Sequence, residues 1–306
     1  TDIEHVDVSE EGAGGVVIVS RADGKVVLKG AVDLPQELFA TDLARRLGLL
    51  VPCLRLIIST DPEWEECKCN VKQALKAQPG AHSRVCSRNL NRAHFAVMEY
   101  VNGFNLHHVR APTLQQIFHE EAPFGEAILT EFGQVIAFDV LCHNSDRLPC
   151  FWENEGNLRN LILYWPDHSL PPRLVLIDNT LSCIRADGPP SERFLSQVAS
   201  FVVRLQATPP QLLVETQRFK ERMSTSLGIK LTDGQLLTVQ DGILRMFKKI
   251  ATLPPMLFDQ LRTQVANSIV RDYRDVWKLG VEAISVPFLQ HVRIRICESL
   301  AGSLSL

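Results

Sequence analysis

The sequence changes character at about residue 100. Before that point β-branched and apolar runs dominate, and after it apolar residues recur at helical spacing. No internal repeat or low-complexity tract interrupts either part. The two patterns predict an α+β protein with a small, β-rich amino-terminal part and a larger, mainly helical carboxyl-terminal part.

Composition narrows the class of protein further. The 306 residues are 45% hydrophobic, which is enough for a large buried core. With 32 basic and 35 acidic residues, the net charge of -3 gives no overall attraction to nucleic acid or to an anionic membrane. No apolar run approaches the roughly 20 residues of a membrane span, and the first residues do not resemble a secretion signal. We therefore expect a globular cytoplasmic protein.

The eight cysteines are scattered along the chain. Cys67 and Cys69, together with Cys86, suggest a metal site, but their spacing is not the usual CxxC and no second pair follows. Free thiols in a reducing compartment are the favoured interpretation, and zinc is the alternative.

Several elements are predicted before residue 101. Two β-branched runs, residues 16–20 and 25–29, are separated by a segment that ends in Asp-Gly, which predicts that the chain opens with a β-hairpin. A helix is expected from Asp33 to Gly48, with Gln36 completing a capping box. Further strands are expected at residues 54–58 and 95–101.

A polar insertion, residues 61 to 94, lies between those last two strands. Its basic residues are Lys72, Lys76, Arg84, Arg88 and Arg92. These side chains could bind phosphates or an acidic partner, but a solvated face is the favoured interpretation.

The carboxyl-terminal part begins with a helix that should start at a capping box of Thr113 and Gln116 and run to His143. Two short strands follow, at residues 160–163 and 173–177. Four or five amphipathic helices are expected from Ser191 onward, interrupted at residues 209–210 and 254–255 by Pro-Pro pairs. The tail should therefore be a helical bundle.

Four charged residues fall at the ends of these elements. Lys29 ends the second strand and Glu37 lies early in the next helix, while Asp146 follows a buried helix and Asp178 follows a strand. Phosphoryl transfer needs a cation for the phosphates, oxygen ligands for magnesium and a carboxylate that orients the attacking hydroxyl. Each residue alone could be structural: an exposed ion pair, a turn cap or a partner of Arg147. His143 is expected to be a structural residue at the helix end.

The order and spacing of these strings resemble a known family. The sequence resembles the phosphatidylinositol kinase-like branch of the protein kinase superfamily in a series of short strings. In chain order these are Glu37, Leu47-Gly48, Val51-Pro52, residues 144–147 and Ile177-Asp178. The resemblance to the actin-fragmin kinases of slime moulds is closer than to the branch as a whole and covers most of residues 12 to 205. The resemblance implies a diverged, two-lobed protein-kinase-like fold.

The resemblance also implies roles for individual residues. Lys29 would contact the ATP phosphates and Glu37 would orient it, Asp146 would be the catalytic carboxylate, and Asp178 and Asn160 would bind Mg²⁺. Asn154 or Asn157 could replace Asn160, and Asn179 stands where the common kinase motif has phenylalanine. Arg147 would steady the Asp146 loop or contact the transferred phosphate. The remaining nucleotide contacts would come from Gly14 and Gly15 and from the hinge residues Glu99, Tyr100 and Val101.

The expected domains are an ATP-binding lobe at residues 1–101, a catalytic core at 102–205 and a helical, substrate-docking bundle at 206–306. The resemblance implies a serine/threonine kinase of the actin cytoskeleton that acts on a threonine of actin bound to a fragmin-like severing protein. We expect the chain itself to be a monomer. It also implies kelch-type repeats beyond the carboxyl end. Two alternatives stay open: a phosphoinositide or small-molecule kinase, and an inactive kinase fold that serves as an actin-binding scaffold.

Overall fold

The computed structural model describes residues 3–9, 15–30, 33–76, 83–92, 94–119, 122–167, 169–269 and 274–302. The chain divides into two compact units. The first comprises residues 1–38, 52–101 and 263–282, and the second comprises residues 39–51, 102–262 and 283–306. Within the described ranges, no helix has the length and apolar character needed to cross a membrane.

The strands are β1 (Ile3–Ser9), β2 (Val16–Arg21), β3 (Gly24–Lys29), β4 (Leu54–Ile58), β5 (His94–Glu99), β6 (Phe104–Asn105), β7 (Leu161–Tyr164) and β8 (Arg173–Leu176). The α-helices are α1 (Leu34–Arg46), α2 (Pro62–Lys76), α3 (Ser83–Leu90), α4 (Ala111–Phe118), α5 (Gly125–Cys142), α6 (Pro189–Leu205), α7 (Val214–Leu227), α8 (Asp233–Ala251), α9 (Leu257–Ile269), α10 (Arg274–Glu282) and α11 (Val286–Gly302). A small β-sheet region therefore precedes a mostly helical remainder, as the sequence predicts.

The first unit is built on an antiparallel sheet with strand order β1-β2-β3-β5-β4. The predicted hairpin of β2 and β3 is confirmed, and Arg21 pairs with Gly24 across its turn. The prediction that the chain opens with this hairpin is wrong, because β1 precedes it and pairs with β2. β1 is mostly exposed or half-buried, so it lacks the apolar run that identifies a buried strand.

The polar insertion at residues 61 to 94 contains α2 and α3. Both helices contribute to the core of the first unit, where Val71 of α2 and Cys86 and Leu90 of α3 pack with Val17 and Phe95 of the sheet. The insertion is therefore an integral part of this unit.

Helix α1 confirms the predicted helix between Asp33 and Gly48. The φ of +74° at Gly48 is the left-handed conformation that ends many helices. The predicted capping box is wrong: the buried Oε1 of Gln36 accepts no hydrogen bond from the described residues.

The second unit has a helical core. Helix α5 is buried along most of its length and packs on α8. A Cβ atom on Gly133 would lie 2.1 Å from the carbonyl oxygen of Val239, and one on Gly242 would lie 2.3 Å from that of Thr130. The two backbones can approach this closely only because both residues are glycine.

A small antiparallel sheet of β6, β7 and β8 completes the second unit. The two strands predicted at residues 160–163 and 173–177 are confirmed as β7 and β8, and they pair with each other. The added strand β6 has two residues, which is too short to produce a sequence pattern.

Two helix predictions in this unit need correction. Helix α4 begins at Ala111 with Arg110 as its N-cap, so Thr113 lies inside the helix and caps nothing. Pro112 in the first turn favours this earlier start. The single helix predicted from Thr113 to His143 is two helices in the structure, because α4 ends at Phe118 and α5 starts at Gly125. The Pro-Pro interruptions between α6 and α7 and between α8 and α9 are confirmed.

Candidate active site

Helix α5 places the loop that carries Asp146. The helix ends at His143, which has a left-handed φ of +50° and donates its backbone N–H to the carbonyls of Asp139 and Val140. The His143 ring packs edge-on against the rings of Phe194 and Phe288. Burial lowers the pKa of His143. This ring is therefore a structural element of the helix end, as expected.

Two asparagines hold Asp146, which is itself exposed. Its backbone N–H donates to Oδ1 of Asn144 at 3.1 Å, and its Oδ2 accepts from Nδ2 of Asn160 at 2.8 Å. Its Oδ1 accepts no hydrogen bond within the described part of the chain. The carboxylate is thus oriented through Oδ2, while Oδ1 can accept a hydrogen bond from a substrate hydroxyl.

Asn160 connects the Asp146 loop to the chain that enters Asp178. Its side chain donates to Asp146, and its carbonyl oxygen accepts the N–H of Ile177 at 3.1 Å. The alternatives are engaged elsewhere: Asn157 accepts the N–H of Arg159, and Asn154 donates to the carbonyl of Ser145. Among these three asparagines, the structure places Asn160 between the two acidic residues.

Asp178 lies two residues after the end of β8, in a left-handed conformation with φ of +52°. A non-glycine residue in this region costs of order 1 kcal/mol or more and is retained where the surroundings require it. The side chain is half-buried. The backbone here turns sharply away from the strand instead of continuing it.

A buried network lies beneath these two loops. Arg147 is fully buried and donates to Oδ1 of Asp139 and to Oδ1 of Asn179, both at 2.6 Å. It also donates to the carbonyl of Ile177 at 3.3 Å. Asn179 in turn donates to Oγ1 of Thr41 at 3.1 Å. Arg147 therefore joins the Asp146 loop to the Asp178 loop from the interior, a geometry that favours steadying the loop over contacting a phosphate.

Asp139 was not predicted from the sequence, and Asn144 was recognised only as part of the string at residues 144–147, without a role of its own. Asp139 lies on the buried face of α5 and receives hydrogen bonds from Arg147 and from Asn144. Burial raises its pKa to about 7, although the guanidinium of Arg147 opposes this shift. The available signal for Asp139 was a single acid within the otherwise apolar run of residues 135–142.

The predicted lysine and glutamate both lie in the first unit. Nζ of Lys29 lies 2.8 Å from Oε2 of Glu37, and the side chains are 17% and 5% exposed. An ion pair this well shielded is not the exposed surface pair that the structural alternative assumed. Glu37 orients the ammonium group at the end of β3.

The other predicted nucleotide contacts also lie in the first unit. Gly15 has φ of +62°, and Gly14 lies outside the described residues. Glu99 exchanges two hydrogen bonds with Cys53: its N–H donates to the Cys53 carbonyl, and its carboxylate accepts the Cys53 N–H. The Glu99 N–H is therefore occupied, which leaves the half-buried Tyr100 and Val101 as the better candidates for backbone contact with adenine.

The donor set fits a magnesium ion. Asp178 offers a carboxylate and Asn160 an amide oxygen, and Mg²⁺ prefers such hard oxygen ligands. The Asn160 Oδ1 lies 3.3 Å from Nδ2 of Asn157, a long hydrogen bond that ligation could replace.

The β-rich unit carries a shielded lysine–glutamate pair. The helical unit carries one acid after a buried helix and another after a strand. These features together define a diverged protein-kinase-like fold. The family model "Actin-fragmin kinase, catalytic" matches residues 1–246. The chain belongs to this family.

Two relatives and one solved structure are similar to this chain. Two Dictyostelium discoideum proteins named as candidate actin-fragmin kinases are 25% and 21% identical over 274 and 280 residues, which is 87% and 88% of this chain. The chain spans 64% and 62% of their respective lengths. The crystal structure of the Golgi casein kinase matches with a TM-score of 0.31 and 12% identity, covering 81% of this chain and 74% of that one.

Proposed function

We propose that this chain is an Mg²⁺- and ATP-dependent serine/threonine kinase that phosphorylates a threonine of actin in a complex with a fragmin-like severing protein. The observation that carries the proposal is the position of Asn160, bonded to Asp146 through its side chain and to the chain entering Asp178 through its carbonyl. We place the enzyme at the actin cytoskeleton of the cytoplasm.

In the proposed mechanism, the free Oδ1 of Asp146 accepts a hydrogen bond from the acceptor hydroxyl and orients its oxygen for in-line attack on the γ-phosphorus. Asn160 holds the other carboxylate oxygen, so the acid keeps one orientation. Lys29, oriented by Glu37, contacts the ATP phosphates. Magnesium bound by Asp178 and Asn160 would offset the charge of the phosphates.

The protein acceptor is supported by the family and by the names of the relatives. The helices beyond residue 206 supply more surface than nucleotide chemistry alone requires, so we propose them as the docking region for the acceptor. A phosphoinositide or small-molecule acceptor is the alternative for the same chemistry.

The rival from another class is an inactive scaffold, and nucleotide binding separates the two. Because a ligand that binds only the native state stabilises it, MgATP at 100 times its Kd should add about 2.7 kcal/mol and raise the Tm. Differential scanning fluorimetry with and without MgATP measures this shift.

Lys29→Met should abolish most of the rise in Tm, whereas Lys76→Met, which removes an exposed lysine of the same unit, should preserve it. If MgATP leaves the wild-type Tm unchanged, the scaffold is the better account.

A further inference from the structure

Helix α3 lies against both ends of the β2–β3 hairpin. Gly15 precedes β2, and a Cβ there would lie 2.7 Å from Cγ1 of Val85. Gly30 follows β3, and a Cβ there would lie 3.0 Å from the carbonyl oxygen of Asn89 and 2.9 Å from Cγ of Arg92. Both glycines therefore allow the hairpin ends to approach the helix more closely than any other residue could.

Asn89 joins these two ends by hydrogen bonds. Its side-chain Oδ1 accepts the backbone N–H of Gly30 at 2.6 Å, and its Nδ2 donates to the carbonyl of Gly15 at 3.4 Å. The same Nδ2 donates to the carbonyl of Val85, one turn earlier in the helix, at 3.0 Å. This side chain is 1% exposed. A buried amide with these partners is costly to replace, because its loss leaves a backbone N–H without an acceptor.

The hydrogen bond from Gly30 to Asn89 matters because of the residue that precedes Gly30 in the sequence. Gly30 directly follows Lys29, whose Nζ bonds to Glu37. Asn89 therefore fixes the backbone one residue from the base of the lysine, while Glu37 fixes its tip. Gly15 directly precedes β2 and is the last glycine of the glycine-rich stretch at residues 12–15 of the sequence.

We propose that Asn89 is a positioning residue for nucleotide binding, and that α3 sets the backbone from which Lys29 extends. This inference rests on the proposed function, since the position of Lys29 is significant only if it contacts phosphates. An apolar residue could fill the same volume but could not satisfy the Gly30 N–H, so a hydrogen-bonding side chain is specifically required here.

The test measures MgATP affinity by isothermal titration calorimetry and backbone exchange by hydrogen–deuterium exchange. Asn89→Ala should weaken MgATP binding roughly 10-fold, the usual consequence of losing one buried hydrogen bond, and should speed amide exchange at Gly30. Asn91→Ala, an exposed asparagine just beyond α3, is the matched control and should change neither.

A double-mutant cycle distinguishes positioning from general loosening. If Asn89 acts through Lys29, Asn89→Ala should add little to the loss caused by Lys29→Met. Full additivity would overturn the inference, as would unchanged MgATP affinity in a folded Asn89→Ala protein. Should Asn89→Ala fail to fold, Gly30→Ala, which keeps Asn89 and forces the helix away, should weaken MgATP binding in the same way, and unchanged affinity there would overturn the inference.

If the proposed function is wrong, the calorimetry gives a different result. In that case the wild type itself shows no MgATP affinity, and the positioning role falls with it. When the wild type binds MgATP and the variants bind it equally well, only the positioning role is contradicted.

Discussion

Asp146→Asn is expected to lower the rate of phosphoryl transfer by about 10²–10⁴-fold while MgATP affinity stays near the wild-type value. The asparagine retains a side-chain oxygen for the bond from Asn160 but carries no charge to attract the proton of the acceptor hydroxyl. Single-turnover transfer from γ-labelled ATP measures the rate, and calorimetry measures the affinity.

The matched control is Asp187→Asn, which removes an exposed acid of the same unit. It should leave the rate within experimental error of the wild type. Full transfer activity in a folded Asp146→Asn protein would exclude this residue as the catalytic carboxylate.

Arg147→Met is expected to lower the free energy of unfolding by about 3–5 kcal/mol. The substitution leaves the Asp139 carboxylate buried without its cation and removes a link between the Asp146 and Asp178 loops. Chemical denaturation monitored by circular dichroism measures the change.

A double variant and a surface pair provide the controls. Asp139→Leu combined with Arg147→Met should cost less than the sum of the single changes, because no buried charge is then left unpaired. Arg185→Met breaks the exposed pair with Asp187 and should change the stability by less than about 0.5 kcal/mol. Strict additivity of the two buried changes would show that the Asp139–Arg147 pair is not coupled.

The same pair predicts a dependence of stability on pH. The folded pKa of Asp139, about 7, lies above its ordinary value of 3.8, so the folded state binds the proton more tightly than the unfolded state. The stability from this group is fully present below the ordinary value and is lost as the pH rises towards 7. In denaturation series at several pH values, Asp139→Asn should flatten this part of the pH dependence.

The elements that carry the candidate site were largely predictable. The β2–β3 hairpin, α1, α5 and β8 were predicted from local patterns. Lys29 ends the hairpin, Asp146 follows α5 and Asp178 follows β8, as the sequence predicts. The pairing of Lys29 with Glu37 also followed from a strand that leads into a helix.

The residues that support the site were not predictable from local patterns. Asp139 contacts Arg147 eight positions away, and Asn89 contacts Gly30 across 59 positions. Such bonds depend on tertiary packing, and the periodicity of apolar residues in a helix or strand does not report on it. The edge strand β1 was missed for a related reason, since an exposed strand has no apolar run.

The most direct test of the account follows the γ-phosphate of labelled ATP in the presence of Mg²⁺. The chain is incubated in parallel with an actin–fragmin complex and with phosphoinositide vesicles, and the wild type is compared with Asp146→Asn. The account predicts label on a threonine of actin, dependent on Asp146, and none in the lipid. Label in the lipid alone would contradict the protein acceptor, and no transfer by a folded, MgATP-bound wild type would contradict phosphoryl transfer itself.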